Sequence, residues 1–202
     1  MTLGTRDRIL AATASLLRRQ GYAGTGLKQV AGESGAPWSS LYHFFPGGKE
    51  EMIEEALLYS GRRYAQLIDR VFKESDDGAA ATRAFLMLSV DALERSNFAD
   101  GCPVATAALE SASTSERLRT AAETVFRFWV DTAAARYQED GLSPSKARDL
   151  ATFALATFEG AIALSRTYRS TAPLRTCADF LERSIREFGG AQPPGPKRRR
   201  RG

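Results

Sequence analysis

Apolar residues recur every three or four positions through almost the whole chain, and no stretch alternates in polarity as a half-buried strand would. Glycine and proline cut that periodicity into pieces, so the sequence reads as an all-α chain of helices joined by short turns. A first helical face, Ile9, Ala12, Thr13, Leu16 and Leu17, runs from about residue 4 to 20, with Gly21 placed as a C-cap glycine. Thr25 offers a hydroxyl cap to a short second helix, Leu27 to Ser34. Gly35, Ala36 and Pro37 interrupt it, a third short helix covers about 38–44, and Pro46, Gly47 and Gly48 break the chain again.

The remaining pieces are mostly longer. Met52, Ala56, Tyr59, Arg63, Leu67 and Val71 mark a helix over about 48–73, and Asp76-Asp77-Gly78 turns into another over about 79–96, with Phe85, Leu88 and Ala92 on one face. Pro103 suits the first turn of a sixth helix. A seventh, about 115–139, repeats Leu118, Ala122, Val125, Phe126, Trp129, Ala133 and Tyr137. Ser143-Pro144 reads as N-cap and N1 of an eighth, lined by Ala147, Ala151, Ala154, Leu155, Phe158 and Ile162. Pro173 separates it from a ninth that sets Cys177, Leu181, Ser184, Ile185 and Phe188 on one side. Nine helices follow, three in a head (residues 1–47) and six in a body (48–189). Residues 190–202, GAQPPGPKRRRRG, lack apolar content and are expected to be a disordered basic tail.

Charge refines this division. The net charge of +4 owes more to its position than to its size, because Lys197 to Arg201 alone carry five positive charges. In the first 50 residues Arg6, Arg8, Arg18, Arg19, Lys28 and Lys49 face Asp7, Glu33 and Glu50, which makes the head basic and the body acidic. The two cysteines, Cys102 and Cys177, suggest neither a disulfide framework nor a zinc site, and they fit a reducing compartment. With no signal-peptide core and no apolar run of spanning length, a cytoplasmic location and no membrane partner are expected. The one histidine lies in the head, and no Ser/His/acid set, metal cluster or glycine-rich nucleotide loop accompanies it, so neither enzyme activity, a metal nor a cofactor is expected.

Ala31, Gly35 and Leu41 carry the functional argument. Their A-x3-G-x5-L spacing puts a small residue under a crossing helix, a glycine at a turn that needs positive φ, and a leucine anchor in the second helix. Short helices with glycine turns also occur in proteins that bind no DNA. The run GYAGTGLKQVAGESGAPWSSLYHFFPGGKEEM goes further: it resembles the N-terminal signature of the TetR family, through Gly21-Tyr22, Thr25, Val30-Ala31, Gly35, Leu41-Tyr42-His43-Phe44-Phe45 and Pro46-Gly47-Gly48-Lys49. PGGK and GCPVATAALE at 101–110 resemble the LmrA/YxaF-like branch.

The resemblance implies a nine-helix TetR-like fold, with a helix-turn-helix that binds a double-stranded DNA operator and a ligand-binding, dimerising body. The second helix of such a motif enters the major groove N-terminus first, so Trp38, Ser39 and Ser40 are the candidates for base readout. Thr25, Lys28, Tyr42, His43 and Lys49 are candidates for phosphate contacts. The branch often has lysine and glycine where Trp38 and Ser39 stand, which points to a different operator sequence. Trp38 as a plug between head and body is the competing reading.

In the body, Tyr59, Phe85, Leu88, Phe126, Trp129 and Phe158 read individually as core; the resemblance makes them together the candidate lining of an apolar effector cavity. Cys102 before Pro103 is a further candidate, either as a thiol activated at a helix start or as a small buried N-cap. Small residues along helix eight and the stripe of helix nine suit a homodimer interface, the alternative being internal burial. The expected function is a repressor released by an apolar or aromatic ligand. A DNA-binding regulator without an effector, or an activator, is the rival.

Overall fold

The computed structural model describes residues 3–189, and among these it forms nine α-helices and no strand. The head comprises α1 (Thr5–Gly24), α2 (Leu27–Ser34) and α3 (Trp38–Phe44). The body comprises α4 (Gly48–Glu74), α5 (Gly78–Arg95), α6 (Pro103–Ser111), α7 (Glu116–Glu139), α8 (Pro144–Tyr168) and α9 (Ala172–Gly189). The basic tail expected at 190–202 lies outside the described residues.

Helix starts show which caps the sequence encodes. Asp77 accepts from the Ala80 amide at 2.7 Å, and Gly78 is already helical. Ser115 caps α7 through the Leu118 amide. Ser143 holds the N-cap position before Pro144 without engaging its hydroxyl. Glu51, in the first turn of α4, accepts from the Gly47 amide at 2.6 Å, where the helix dipole favours a carboxylate.

Four local expectations change. Gly21 does not end α1; it breaks the helical path at φ +73, ψ −172, and the assigned helix resumes to Gly24. Thr25 does not cap α2. Gly26 takes that position, and the buried Thr25 hydroxyl donates back to the Gly21 carbonyl at 2.6 Å, which the break leaves without its helical partner. Pro173 sits inside the first turn of α9, where it needs no amide partner, and does not precede the helix. On α9 the inward stripe is Leu174, Ala178, Leu181 and Ile185, with Cys177 partly buried beside it and Phe188 exposed at the helix end.

Packing then fixes the body. α4 lies along α7, α5 along α9, and α7 and α9 both against α8. The α4–α7 contact is close because Gly61 faces Val125: a Cβ there would stand 2.8 Å from both valine methyls. Trp129 Nε1 donates to the Gly61 carbonyl at 2.9 Å, pinning the same crossing. This rotates α4 relative to the stripe read from sequence. Its core side is Met52, Ile53, Ala56, Leu57, Gly61, Ala65, Ile68 and Val71, so Met52, Ala56 and Val71 of the sequence stripe are buried while Arg63 is exposed and Tyr59 and Leu67 flank it.

One apolar cluster runs from the head into the body, joining Ile9, Leu16, Leu17, Val30 and Leu41 to Met52, Ile53, Val104, Ala107 and Leu118. A second lies among α5, α8 and α9, and a third, around Tyr137 and Ile185, at the far end of α7 and α8. Where the three meet, the body holds a partly open cavity.

Candidate functional site

Two places combine exposed or buried chemistry in ways that packing alone does not require. The first is the outer face of the head. Gly35 ends α2 in the left-handed region, φ +61, ψ +22, where a side chain would be strained. This tight turn lets α3 cross under the core, anchored by buried Leu41 and by Phe45 just beyond it. Ala31 packs against the same cluster.

With Leu41 inward, Trp38, Ser39, Tyr42 and His43 are exposed on the outer face of α3, and Ser40 is half-buried. Trp38 is 43% exposed and meets Tyr42 edge-on at 5.7 Å between ring centroids, so it does not plug the head against the body. A seven-residue helix presenting two aromatic rings and a serine outward suits insertion into a groove, with hydroxyl and apolar contacts available for base edges.

The remaining head candidates divide. Lys28 is exposed on α2. Lys49 is half-buried, its ammonium 4.5 Å from the Tyr22 ring centroid, and burial holds its pKa below the usual lysine value. Thr25 is fully buried, its hydroxyl committed to α1, so its side chain faces the core and not solvent.

The second place is the cavity, of about 290 Å³. α4 supplies Tyr64, Ile68 and Phe72 at one-turn intervals, α5 Thr82 and Phe85, α7 Trp129 and Tyr137, and α8 Leu155 and Phe158. Of the seven candidates read from sequence, Phe85, Cys102, Trp129 and Phe158 line it. Tyr59, Leu88 and Phe126 do not. Tyr59 is on the flank of α4, where Arg63 donates to its hydroxyl, Leu88 is turned to solvent, and Phe126 packs behind Trp129.

The ring walls are ordered by their own contacts. Phe85 and Phe158 stand 5.3 Å apart, and Tyr64 and Trp129 5.5 Å apart. Tyr137 and Thr82 share a 2.6 Å hydrogen bond. Burial pushes both the Tyr64 and Tyr137 phenols up to about 12, so they remain neutral donors at physiological pH.

Cys102 is the N-cap of α6, its sulfur accepting from the Ala105 amide at 3.4 Å. It is not an activated thiol. Burial, followed by the nearby Glu159 carboxyl, raises its pKa well above the ordinary value, outweighing the helix amides, so the thiol keeps its proton.

Sequence reading missed Arg18, Asp100 and Glu159 at this end of the body. Arg18 and Asp100 line the cavity, and Glu159 faces Cys102. Tyr64, Ile68 and Phe72 were also missed, although their four-residue spacing along α4 is a legible signal. Among the described residues no group of three or more His, Cys, Asp or Glu side chains is placed to hold a metal, and no helix is long and apolar enough to cross a membrane.

Residues 9–56 match the family model of bacterial regulatory proteins of the tetR family. Residues 78–180 match that of the LmrA/YxaF-like transcriptional regulator C-terminal domain. The chain is 37% identical over 185 residues to the HTH-type transcriptional regulator YxaF of Bacillus subtilis, covering 92% of this chain and 97% of that one. A TetR transcriptional regulator from Legionella pneumophila superposes with a TM-score of 0.80 at 19% identity, over 91% of this chain and 98% of that chain. A cysteine mutant of the TetR family regulator CifR, complexed with 26-base-pair operator DNA, superposes with a TM-score of 0.73 at 22% identity, over 89% and 96%. The head's turn geometry, the body's helix order and both family matches agree: this chain belongs to the TetR family of DNA-binding transcriptional regulators, in its LmrA/YxaF-like branch.

Proposed function

We propose that the chain is a homodimeric repressor that holds a palindromic operator through α3 and releases it when an apolar or aromatic molecule occupies the cavity. The observation that carries this reading is the course of α4. Its first turns, through Met52 and Ile53, belong to the head's core, and its later turns, through Tyr64, Ile68 and Phe72, form a cavity wall. One rigid element therefore touches both sites. A ligand that prefers a displaced α4 lowers operator affinity by its differential binding to the two conformations.

In this reading residues 1–47 are the DNA-binding head and 48–189 the effector and dimer body. Trp38, Ser39 and Ser40 approach base edges, and Lys28, Tyr42 and His43 approach phosphates. Support for dimerisation comes from the outward side of α8 and α9. The stripe of α9 read for an interface turns inward, but a second set, Phe153, Ala156, Gly160, Ala163 and Leu164 on α8 with Phe180 on α9, is exposed. Nothing lies within 4 Å of a Cβ built at Gly160. Two-fold pairing of that face would cover it and present two α3 helices to successive major grooves, about 34 Å apart.

The test is selection of bound sequences from random DNA by the purified protein, then competition with apolar aromatic compounds. A palindrome should be enriched and its binding weakened by compounds that also raise the melting temperature. Failure to enrich a palindrome overturns the operator reading, and a compound that tightens binding reverses the sign of the mechanism. Sedimentation showing a monomer at micromolar concentration removes the dimer.

A further inference from the structure

Most of the polar groups that line the cavity are committed inside the protein. Thr82 Oγ1 donates to the Gly78 carbonyl at 2.8 Å and therefore accepts from the Tyr137 hydroxyl at 2.6 Å. Ser89 donates to the Phe85 carbonyl at 3.2 Å, and Trp129 Nε1 to the Gly61 carbonyl at 2.9 Å. At the head end Arg18 and Asp100 both line the void as a half-buried ion pair, Asp100 Oδ2 lying 3.5 Å from Arg18 Nε. The Cys102 thiol has the Glu159 carboxyl beside it.

Tyr64 is the exception. It lines the cavity from α4, and among the described residues its hydroxyl makes no hydrogen bond, although Cys102, Arg18, Glu159 and Asp100 all lie near enough to bias its ionisation. Its ring is held by Trp129, 5.5 Å away between centroids, and Trp129 is itself pinned to Gly61, about one turn before Tyr64 on α4. The phenol is thus a positioned donor without an acceptor of its own. An apolar molecule that fills the void strips this hydroxyl of solvent and gives nothing back, which costs affinity. A molecule that sets an acceptor against it escapes that cost.

Building on the effector reading above, we propose that Tyr64 is the specificity residue of the cavity, its hydroxyl donating to a neutral acceptor, of which a ketone carbonyl is the simplest, on an aromatic molecule held among Phe85, Trp129 and Phe158. Those rings set the aromatic part. Thr82, Ser89 and Trp129 have no donor to spare, so one acceptor is matched and not several. Arg18 and Asp100 offset each other, so a charged ligand group would give up its hydration without gaining a net partner. The hydrogen bond also falls on the lever. Tyr64 stands about three turns beyond Ile53, on the helix whose first turns belong to the head's core. A ligand that holds this hydroxyl therefore acts on α4 directly, and not only by filling space.

The test compares 2-acetonaphthone with 2-isopropenylnaphthalene, where a methylene replaces the carbonyl oxygen at nearly the same shape, and with 2-naphthoate. Calorimetric titration and melting temperature are read on the full-length chain and on Tyr64→Phe. Wild type should prefer the ketone to the alkene by about fivefold or more, the effect of pairing a buried donor, and bind naphthoate more weakly than the ketone. Tyr64→Phe should bind the alkene at least as well as wild type, hold the preference to within about twofold, and melt unliganded no lower than wild type, since the lost hydroxyl has no partner. A merely structural role would lower the melting temperature and weaken ketone and alkene alike. In operator anisotropy the ketone should release DNA from wild type at lower concentration than the alkene, and the two should act alike on Tyr64→Phe. Should that variant fail to fold, the carbonyl stretch of isotope-labelled ketone bound to wild type decides, because hydrogen bonding lowers it below its frequency in hydrocarbon solvent. Equal binding of ketone and alkene, a preference kept in Tyr64→Phe, an unshifted carbonyl band or tighter binding of naphthoate overturns this inference alone. Binding of none of the three overturns the cavity reading, and this inference with it.

Discussion

The head and the cavity handle polar and aromatic groups in opposite ways. On α3 the rings of Trp38 and Tyr42 are turned outward above a small apolar anchor at Leu41 and meet each other edge-on. In the body the rings face one another around a void, and at one end of it Arg18 and Asp100 form a half-buried ion pair that ties α1 of the head to the body. An outward face can change its side chains freely without loss of fold. A half-buried ion pair between head and body is harder to vary, because removing one partner leaves the other charge unmatched.

Mutations should separate the two regions cleanly. The largest effect is expected from Leu41→Ala, which removes the anchor of α3 and leaves a cavity in the head. It should cost about 3 kcal/mol and abolish operator binding at the same time, measured by thermal unfolding and fluorescence anisotropy. A variant that unfolds like wild type would mean that α3 is held by something other than this leucine.

The next effect lies at the cavity end and depends on pH. Burial raises the Glu159 carboxyl from 4.5 to about 7, so the folded chain retains a proton that the unfolded chain releases over that interval. The associated stability is fully present below the unfolded value and lost as pH rises through about 7. Above that, an ionised buried carboxylate lowers stability by about 2–3 kcal/mol. Glu159→Gln should therefore raise the melting temperature at pH 8 and flatten the fall in stability between pH 5 and 7. Equal effects of the substitution at pH 5 and pH 8 would show that Glu159 is solvated.

These two sites also differ in how far the chain's own pattern reveals them. The helix-turn-helix is a local object: Ala31, Gly35 and Leu41 lie within eleven residues, and the turn needs a glycine at φ +61 for a reason visible in the sequence. Most helix limits are local too, since prolines and glycines set them. The cavity end is assembled from Arg18, Asp100 and Glu159, which belong to α1, a loop and α8 and have no shared spacing. Periodicity also misjudged the rotation of α4, because Gly61 and Ser60 carry no apolar signal although both are buried against neighbours. Tyr59 was drawn in by its hydrophobicity, whereas the close approach at Val125 turned the other side of α4 inward; Leu88, on α5, is turned to solvent.

A smaller effect, mainly on DNA binding, is expected of Trp38→Ala. Its ring meets Tyr42 and is 43% exposed, so the melting temperature should fall by no more than about 2–4 °C. Operator affinity should fall about tenfold, with relaxed preference at the base pairs it meets, as read by repeating the sequence selection with the variant. A marked loss of stability with unchanged selectivity would return Trp38 to a packing role and weaken the contrast between the two regions.

The smallest effect tests how much of the head's positive charge is available to DNA. Arg6 pairs with Glu55, Arg19 with Glu33 at 2.5 Å, Arg18 with Asp100 inside the cavity end, and Lys49 lies over Tyr22. Lys28 is exposed on α2 and forms no ion pair among the described residues, so its ammonium is available to a phosphate. Lys28→Ala should weaken binding to all sequences alike and reduce the slope of log affinity against log salt by about one. Arg19→Ala should change that slope less, because it also releases Glu33, and exposed pairs of this kind contribute little to stability. Equal slopes for the two variants would mean that the Arg19–Glu33 pair opens on DNA, and that the head's charge count, not its pairing, governs its grip on phosphate.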